Sequence, residues 1–177
     1  MTRQNWQYWH KSADVDAILD IASRETVTDA ITFGGMNNEH RRSKIAWLTG
    51  NTDIMDMMWP YVESAANIMG VSVAAIADFQ YTEYHGSQEA KYDWHHDVDW
   101  NKSDGRDRKL SITVQLSDPS DYEGGHFEFM EVEQPLPESR DKGTVLIFPS
   151  YLQHRVAPVT SGVRKTLVAW FEGPRWQ

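Results

Sequence analysis

The chain of 177 residues contains no cysteine. That absence excludes a disulfide framework, a thiolate metal site and a cysteine nucleophile, and it suits a reducing compartment. Positive charge is also short, because 17 Lys and Arg against 26 Asp and Glu leave a formal net charge of −9. Counterion release from a phosphate backbone needs a cationic surface, so no nucleic acid partner is expected. Long apolar runs are missing, and none approaches the roughly 18 residues of a membrane span. The start, MTRQNWQYWHKSADVDAILDIA, lacks the basic stretch, apolar block and small-residue cleavage site of an export signal. The expectation is a protein without membrane association, working in the cytoplasm of a bacterial cell, or of a host cell if phage-encoded. Oligomeric state leaves no mark in the sequence.

What is present is a globular composition, with 40% hydrophobic residues and eight Trp. The length fits one domain over 1–177, with helical support over about 1–72 and a barrel over about 73–174. Ser12 is placed to cap a helix running to about Ser23, in which Val15, Ile18, Leu19 and Ala22 share one face. A second helix is predicted from about Asp53 to Met69, stopped by Gly70, with Pro60 marking either a kink or a start near Trp59. From Val73 the period changes to two. AIADFQYTEY, YDWHHDVDW, KLSITVQLSD, HFEFMEV, GTVLIFPS, HRVAPVT and RKTLVAWFE read as short strands separated by turns. Helices followed by many short antiparallel strands predict a mainly β fold, a double-sheet barrel or jelly roll with N-terminal helices packed on one sheet.

YDWHHDVDW places two histidines and two aspartates among aromatics, in a chain with seven histidines. On a strand, side chains alternate between faces, so His95 and Asp97 point one way and His96 the other. His154, after one apolar strand and at the start of the next, is the best third ligand. Two imidazoles and a carboxylate form the facial triad of non-heme Fe(II) oxygenases, which leaves coordination positions open for cosubstrate and oxygen. Zinc could use the same residues, but offers no redox chemistry. Arg164 begins an apolar strand expected to run antiparallel to the one carrying His154. Its guanidinium can fork onto a carboxylate, with Thr166 facing the same side as a hydroxyl donor. An inward arginine without a partner would be costly, which makes a bound dicarboxylate attractive.

YDWHHD, RKLSITVQLSDPSDYEGGHFEF and GTVLIFPSYLQHRVAPVTSGVRKTLVAWFEGP closely resemble the prolyl 4-hydroxylase-like family of Fe(II)- and 2-oxoglutarate-dependent oxygenases, which includes bacterial and phage proteins. The likeness covers roughly Ile76 to Pro174, and RRSKIAWL resembles the segment that precedes the family's core. It implies a cupin-like double-stranded β-helix, with His95, Asp97 and His154 as catalytic iron ligands and Arg164 as the clamp on 2-oxoglutarate. It also implies that Tyr84 lines the cosubstrate pocket, that Thr113 and Gln115 lie on the inward face of the strand beneath it, and that Trp170 forms its floor. Collagen-type members carry lysine where this chain has Arg164, which places the chain nearer the bacterial and oxygen-sensing branches.

The activity so implied is hydroxylation of an unactivated C–H bond using Fe(II), 2-oxoglutarate and O2, with ascorbate as an aid to keeping iron reduced. The first expectation for the substrate is a prolyl residue of a peptide or protein. Asp93, Asp99 and Asp104 near the site would favour a peptide carrying Lys or Arg. The alternatives are a free amino acid, small metabolite or nucleobase as substrate, and a cupin-like barrel that binds metal without turnover. Tyr92 reads as a cosubstrate contact or as packing beside the ligand strand, and Trp100 as an anchor or a loop aromatic. Gly124 and Gly125 read as a turn with positive φ. His10, His40, His85, His96 and His126 are read as non-ligands.

Overall fold

The structure, a computed structural model, describes residues 5–32, 35–36 and 38–177. Within them the chain forms β1 (Gln7–Trp9), α1 (Val15–Ala22), β2 (Thr28–Asp29), β3 (Ile31–Thr32), β4 (Gly35–Met36), β5 (Arg41–Arg42), β6 (Lys44–Trp47) and α2 (Thr52–Met69). There follow β7 (Ala77–His85), β8 (Lys91–His95), β9 (Arg106–Gln115), β10 (Tyr122–Gly124), β11 (Phe127–Phe129), β12 (Val145–Pro149), β13 (His154–Val156) and β14 (Val159–Pro174). The major sheet has the order β1-β12-β9-β14-β7-β6-β2, with β10 added on β14, and the minor sheet is β11-β13-β8-β5. This is a jelly roll with helices on one sheet, as expected.

The alternation in β9 shows how the sequence separates core from site. Leu110, Ile112 and Val114 join the apolar cluster that contains Ile18 of α1 and Ile54, Met58 and Val62 of α2. Ser111, Thr113 and Gln115 occupy the opposite face, and all are buried. β14 repeats the pattern, with Leu167, Ala169 and Phe171 toward the helices and Arg164, Thr166 and Trp170 on the other side. Register locks the two together, because Thr166 lies opposite Gln115 and Trp170 opposite Ser111. A buried polar face stabilises nothing unless its groups find partners, so this surface marks the site. On the helix side, Phe171 is fully buried and meets Phe79 edge-on at 6.0 Å between ring centroids. Phe171→Ala should cost about 3–5 kcal/mol of stability, read as a lowered urea midpoint.

Several expectations need correction. α1 is capped by Asp14, whose carboxylate accepts from the Ala17 N–H, while the Ser12 hydroxyl donates to the Trp9 carbonyl. α2 is capped by Asn51 and runs through Pro60, ending as expected at left-handed Gly70. The segment before residue 73 is more than helical support, since β6 pairs with β7, β5 with β8 and β1 with β12. β14 does not pair with the strand that carries His154. β13 lies in the minor sheet between β11 and β8, and the chain crosses to the major sheet before β14. The polar segment FGGMNNEHRRSK lies partly outside the described residues, at 33, 34 and 37; its described part holds β4, β5 and the start of β6.

Candidate metal centre

β8 and β13 are antiparallel neighbours with His95 directly opposite His154. Asp97 lies just past the end of β8, in a bend, so strand alternation does not place it. Its N–H donates to the Ser150 carbonyl at 2.8 Å, and its Oδ2 accepts from the Ser111 hydroxyl at 2.6 Å. Ser150 also meets Ser111, at 2.9 Å between hydroxyl oxygens. These bonds turn the carboxylate toward both imidazoles. The Asp97 oxygens stand 3.5 Å from His95 Nε2 and 3.5 Å from His154 Nε2. One ligand atom from each of the three residues lies within 4.8 Å of the others.

The tautomers follow from the bonds on the far side of each ring. His95 Nδ1 donates to the Asp93 carbonyl at 2.7 Å and His154 Nδ1 to the Leu152 carbonyl at 2.9 Å. A carbonyl only accepts, so each Nδ1 carries a proton, and in the neutral form of each ring the Nε2 lone pair is the one turned inward. Burial, followed by the neighbouring His154, lowers the His95 pKa to about 3, so that ring is neutral at physiological pH. Burial raises the Asp97 carboxyl, but His154, His95 and the Ser111 hydrogen bond outweigh it and hold the group below its usual range. Lone pairs facing a carboxylate repel one another unless a cation sits between them. Groups bound about 2.1 Å from one ion at right angles stand about 3 Å apart, close to the observed spacings. The donor set therefore fits a metal ion. Tyr92 stacks on His95 at 3.6 Å between centroids, and Phe127 and Phe148 pack on His154 at 5.4 and 4.7 Å.

About 430 Å³ of space, part of it open to solvent, adjoins the three groups, and Tyr84, Thr113, Arg164, Thr166 and Trp170 all line it. Arg164 is 2% exposed, donates to Gln115 Oε1 at 3.0 Å and lies over the Tyr84 ring at 5.5 Å. Among the described residues no carboxylate pairs with it. The Thr166 hydroxyl and the Trp170 indole N–H are buried without a protein hydrogen bond. Burial raises the Tyr84 hydroxyl, which stays protonated. Gln115 does not line this cavity; it orients Arg164 from behind.

Sequence reasoning missed Arg41, Gln80 and Ser111. Arg41 is buried on the cavity wall, donates to Ser43 and Gln80 at 2.8 Å each, and covers Tyr92 at 4.4 Å. Ser111 continues the Thr113–Gln115 alternation and was accessible to that argument. Arg41 lies on a two-residue strand, too short to show a period. The other histidines lie outside the triad: His10 meets Asp141 at 2.7 Å, His85 meets Glu83 at 2.7 Å, and His126 meets Arg140 at 2.7 Å. His96 is 6.1 Å from Trp100, and His40 lies edge-on to Tyr92 at 5.6 Å. Gly124 and Gly125 have φ of 73° and 61°, as a tight turn requires. Ser111→Ala should weaken metal binding about 10–100-fold without altering the ligands, measured by Fe(II) titration.

Fold and site together define a cupin-like jelly roll that presents a facial set of two imidazoles and one carboxylate. The chain belongs to the 2OG-Fe(II) oxygenase superfamily, whose family profile matches residues 79–172. A PKHD-type hydroxylase of Synechococcus sp. (strain CC9311) is 40% identical over 85 residues, 48% of this chain and 38% of that protein. The chain thus spans well under half the length of that relative. A prolyl-4-hydroxylase of Pseudomonas putida superposes with a TM-score of 0.70 at 20% identity, covering 97% of this chain and 93% of the other. A Trichoplax adhaerens prolyl hydroxylase, solved with a hypoxia inducible factor peptide fragment, gives a TM-score of 0.68 at 17% identity over 96% of this chain and 84% of the other. At such identities the structures show a shared fold.

Proposed function

We propose that the protein is an Fe(II)- and 2-oxoglutarate-dependent dioxygenase that hydroxylates an unactivated C–H bond, with a prolyl residue of a peptide or protein as its substrate. The observation that carries this reading is the convergence of two Nε2 lone pairs and a buried carboxylate beside an arginine that has no carboxylate of its own. When bound, iron with 2-oxoglutarate and O2 supplies the oxidising power, releasing succinate and CO2 as one oxygen atom enters the substrate. His95, Asp97 and His154 would hold the iron. Arg164 would fork onto the far carboxylate of 2-oxoglutarate, with the Thr166 hydroxyl as a further donor and Gln115 fixing the guanidinium plane. Tyr84 and Thr113 would flank the cosubstrate, and Trp170 would close the floor. Phe127, Phe148 and Val156 line the same cavity and would keep water from it.

Support for a peptide comes from the groove next door. About 1590 Å³ of space opens beside the triad, edged by Trp47 and Trp100, which are 51% and 56% exposed, and by Arg41, Arg108 and Trp170. A free amino acid or nucleobase would leave most of it unused. The prolyl assignment draws on the names of the relatives above. A metal-binding barrel without turnover would have no use for an uncompensated buried arginine. We also take the chain as one oxygenase domain, because strands before residue 73 complete both sheets. Among the described residues no helix is long and apolar enough to cross a membrane, and a cytoplasmic site of action remains our reading. Ascorbate belongs in the assay to keep iron reduced.

The test is incubation with Fe(II), 2-oxoglutarate and a library of proline-containing peptides, read by mass spectrometry. Gain of one oxygen on proline, dependent on 2-oxoglutarate, is expected. Oxygen gained only on another residue, or only on small molecules in a parallel mixture, would replace the prolyl assignment.

A further inference from the structure

Arg164 has a second side. Behind it, about 640 Å³ of space forms a separate chamber that shares only Arg164 and Phe127 with the cavity beside the triad. Arg140, His126, Ser139 and the exposed Leu136 also line it. Gly125 lines the rear space: its φ is +61°, and a Cβ there would lie 3.0 Å from Arg164 Cδ, so the arginine stem packs directly on the turn.

The charges of this chamber run against those of the protein. In a chain of net charge −9, no Asp or Glu lines it. Arg140 is held by neutral acceptors, donating to His126 Nδ1 at 2.7 Å and to the Gly124 carbonyl at 3.0 Å, with the Tyr122 ring 5.1 Å away. Carboxylates in the neighbourhood are engaged elsewhere. Glu128, which acts on His126, accepts from Arg155 at 2.7 Å, and Glu138 accepts from the Tyr8 hydroxyl at 3.3 Å. An arginine must donate, so His126 Nδ1 accepts and its Nε2 carries the ring proton. Arg164, Arg140, His126 and Ser139 thus border one space, and Arg164 is almost fully buried and, among the described residues, pairs with no carboxylate.

We propose that the chamber behind Arg164 is a second anion site that takes a phosphate group on Arg140, His126 and the rear of Arg164. A dianion balances both guanidiniums, and arginine forks match phosphate oxygens. The source is free phosphate or a phosphorylated metabolite. Because Arg164 would serve an anion on each side, filling the rear weakens its hold on the 2-oxoglutarate carboxylate, which makes the chamber a regulatory site. This coupling rests on the cosubstrate reading above; the binding itself does not.

Two measurements test it. Histidine ring resonances of the metal-free chain are followed by NMR while inorganic phosphate or glycerol phosphate is added at constant ionic strength. The His126 signal should move and saturate while those of His95 and His154 stay, and the tighter of the two ligands names the source. A stationary His126 overturns the site. Succinate formation by the Fe(II) enzyme in the presence of the proline-peptide library is then measured with sulfate as the dianion, since phosphate precipitates iron. Saturating sulfate should raise the KM for 2-oxoglutarate by about 5-fold or more relative to chloride of equal ionic strength. Arg140→Gln should abolish that rise, and an undiminished rise in that variant overturns the coupling by placing the anion on the front of Arg164. A chain that forms no succinate at any sulfate concentration refutes the cosubstrate reading, while the His126 titration still judges the chamber.

Discussion

Asp97→Ala is expected to lose Fe(II) and, with it, all succinate formation. The carboxylate is the one anionic member of the triad and the group on which both Nε2 atoms converge, 3.5 Å away on each side. Its removal leaves only two imidazoles, whose rings stay in place through their backbone carbonyl bonds and aromatic packing. Loss of a direct ligand should exceed the roughly 10–100-fold effect of disturbing a partner such as Ser111. The fold should survive, because Asp97 belongs to none of the apolar clusters, and circular dichroism checks this. Iron content after anaerobic reconstitution is the readout. Stoichiometric iron in the variant would remove Asp97 from the ligand set.

Arg164→Ala should leave iron binding intact and raise the 2-oxoglutarate requirement by about 30-fold or more. Truncating one member of a buried, hydrogen-bonded charge pair costs about 2–5 kcal/mol, which sets that lower bound. The Gln115 carbonyl oxygen and the Thr166 hydroxyl would remain, neither of them charged. Arg164→Lys keeps the charge but loses the planar fork, so its requirement should fall between those of wild type and alanine variant. The readout is the 2-oxoglutarate dependence of succinate formation. An unchanged requirement in the alanine variant would mean that the guanidinium serves only Gln115 and the rear chamber.

The parts of this site that lie on long strands were legible in the sequence. Period-two alternation separates Ser111, Thr113 and Gln115 from Leu110, Ile112 and Val114, and the same rule puts Arg164, Thr166 and Trp170 on one face of β14. His95 and Asp97 were paired by a rule that holds only as far as His95. The strand ends there, and Ser111 and Ser150 aim the carboxylate instead. Pairing β14 with the strand of His154 failed because nearness in sequence does not reveal where a chain changes sheets. Short N-terminal strands escaped for want of length, and with them went Arg41 and its contact with Tyr92. The rear chamber was hidden for a different reason. Arg140 ends a short 3-10 helix and His126 follows the turn at Gly124 and Gly125, and neither lies on a strand whose period could place it behind Arg164.

The central claim is tested most directly by release of CO2 from carboxyl-labelled 2-oxoglutarate. Wild-type protein is incubated with Fe(II) and O2 in the presence of the proline-peptide library, so that a requirement for substrate cannot silence the reaction. Release that needs both iron and oxygen, and that is absent from His95→Ala, is the predicted result. Iron-loaded wild-type protein that binds 2-oxoglutarate yet releases no CO2 above the His95→Ala background would contradict the oxygenase account.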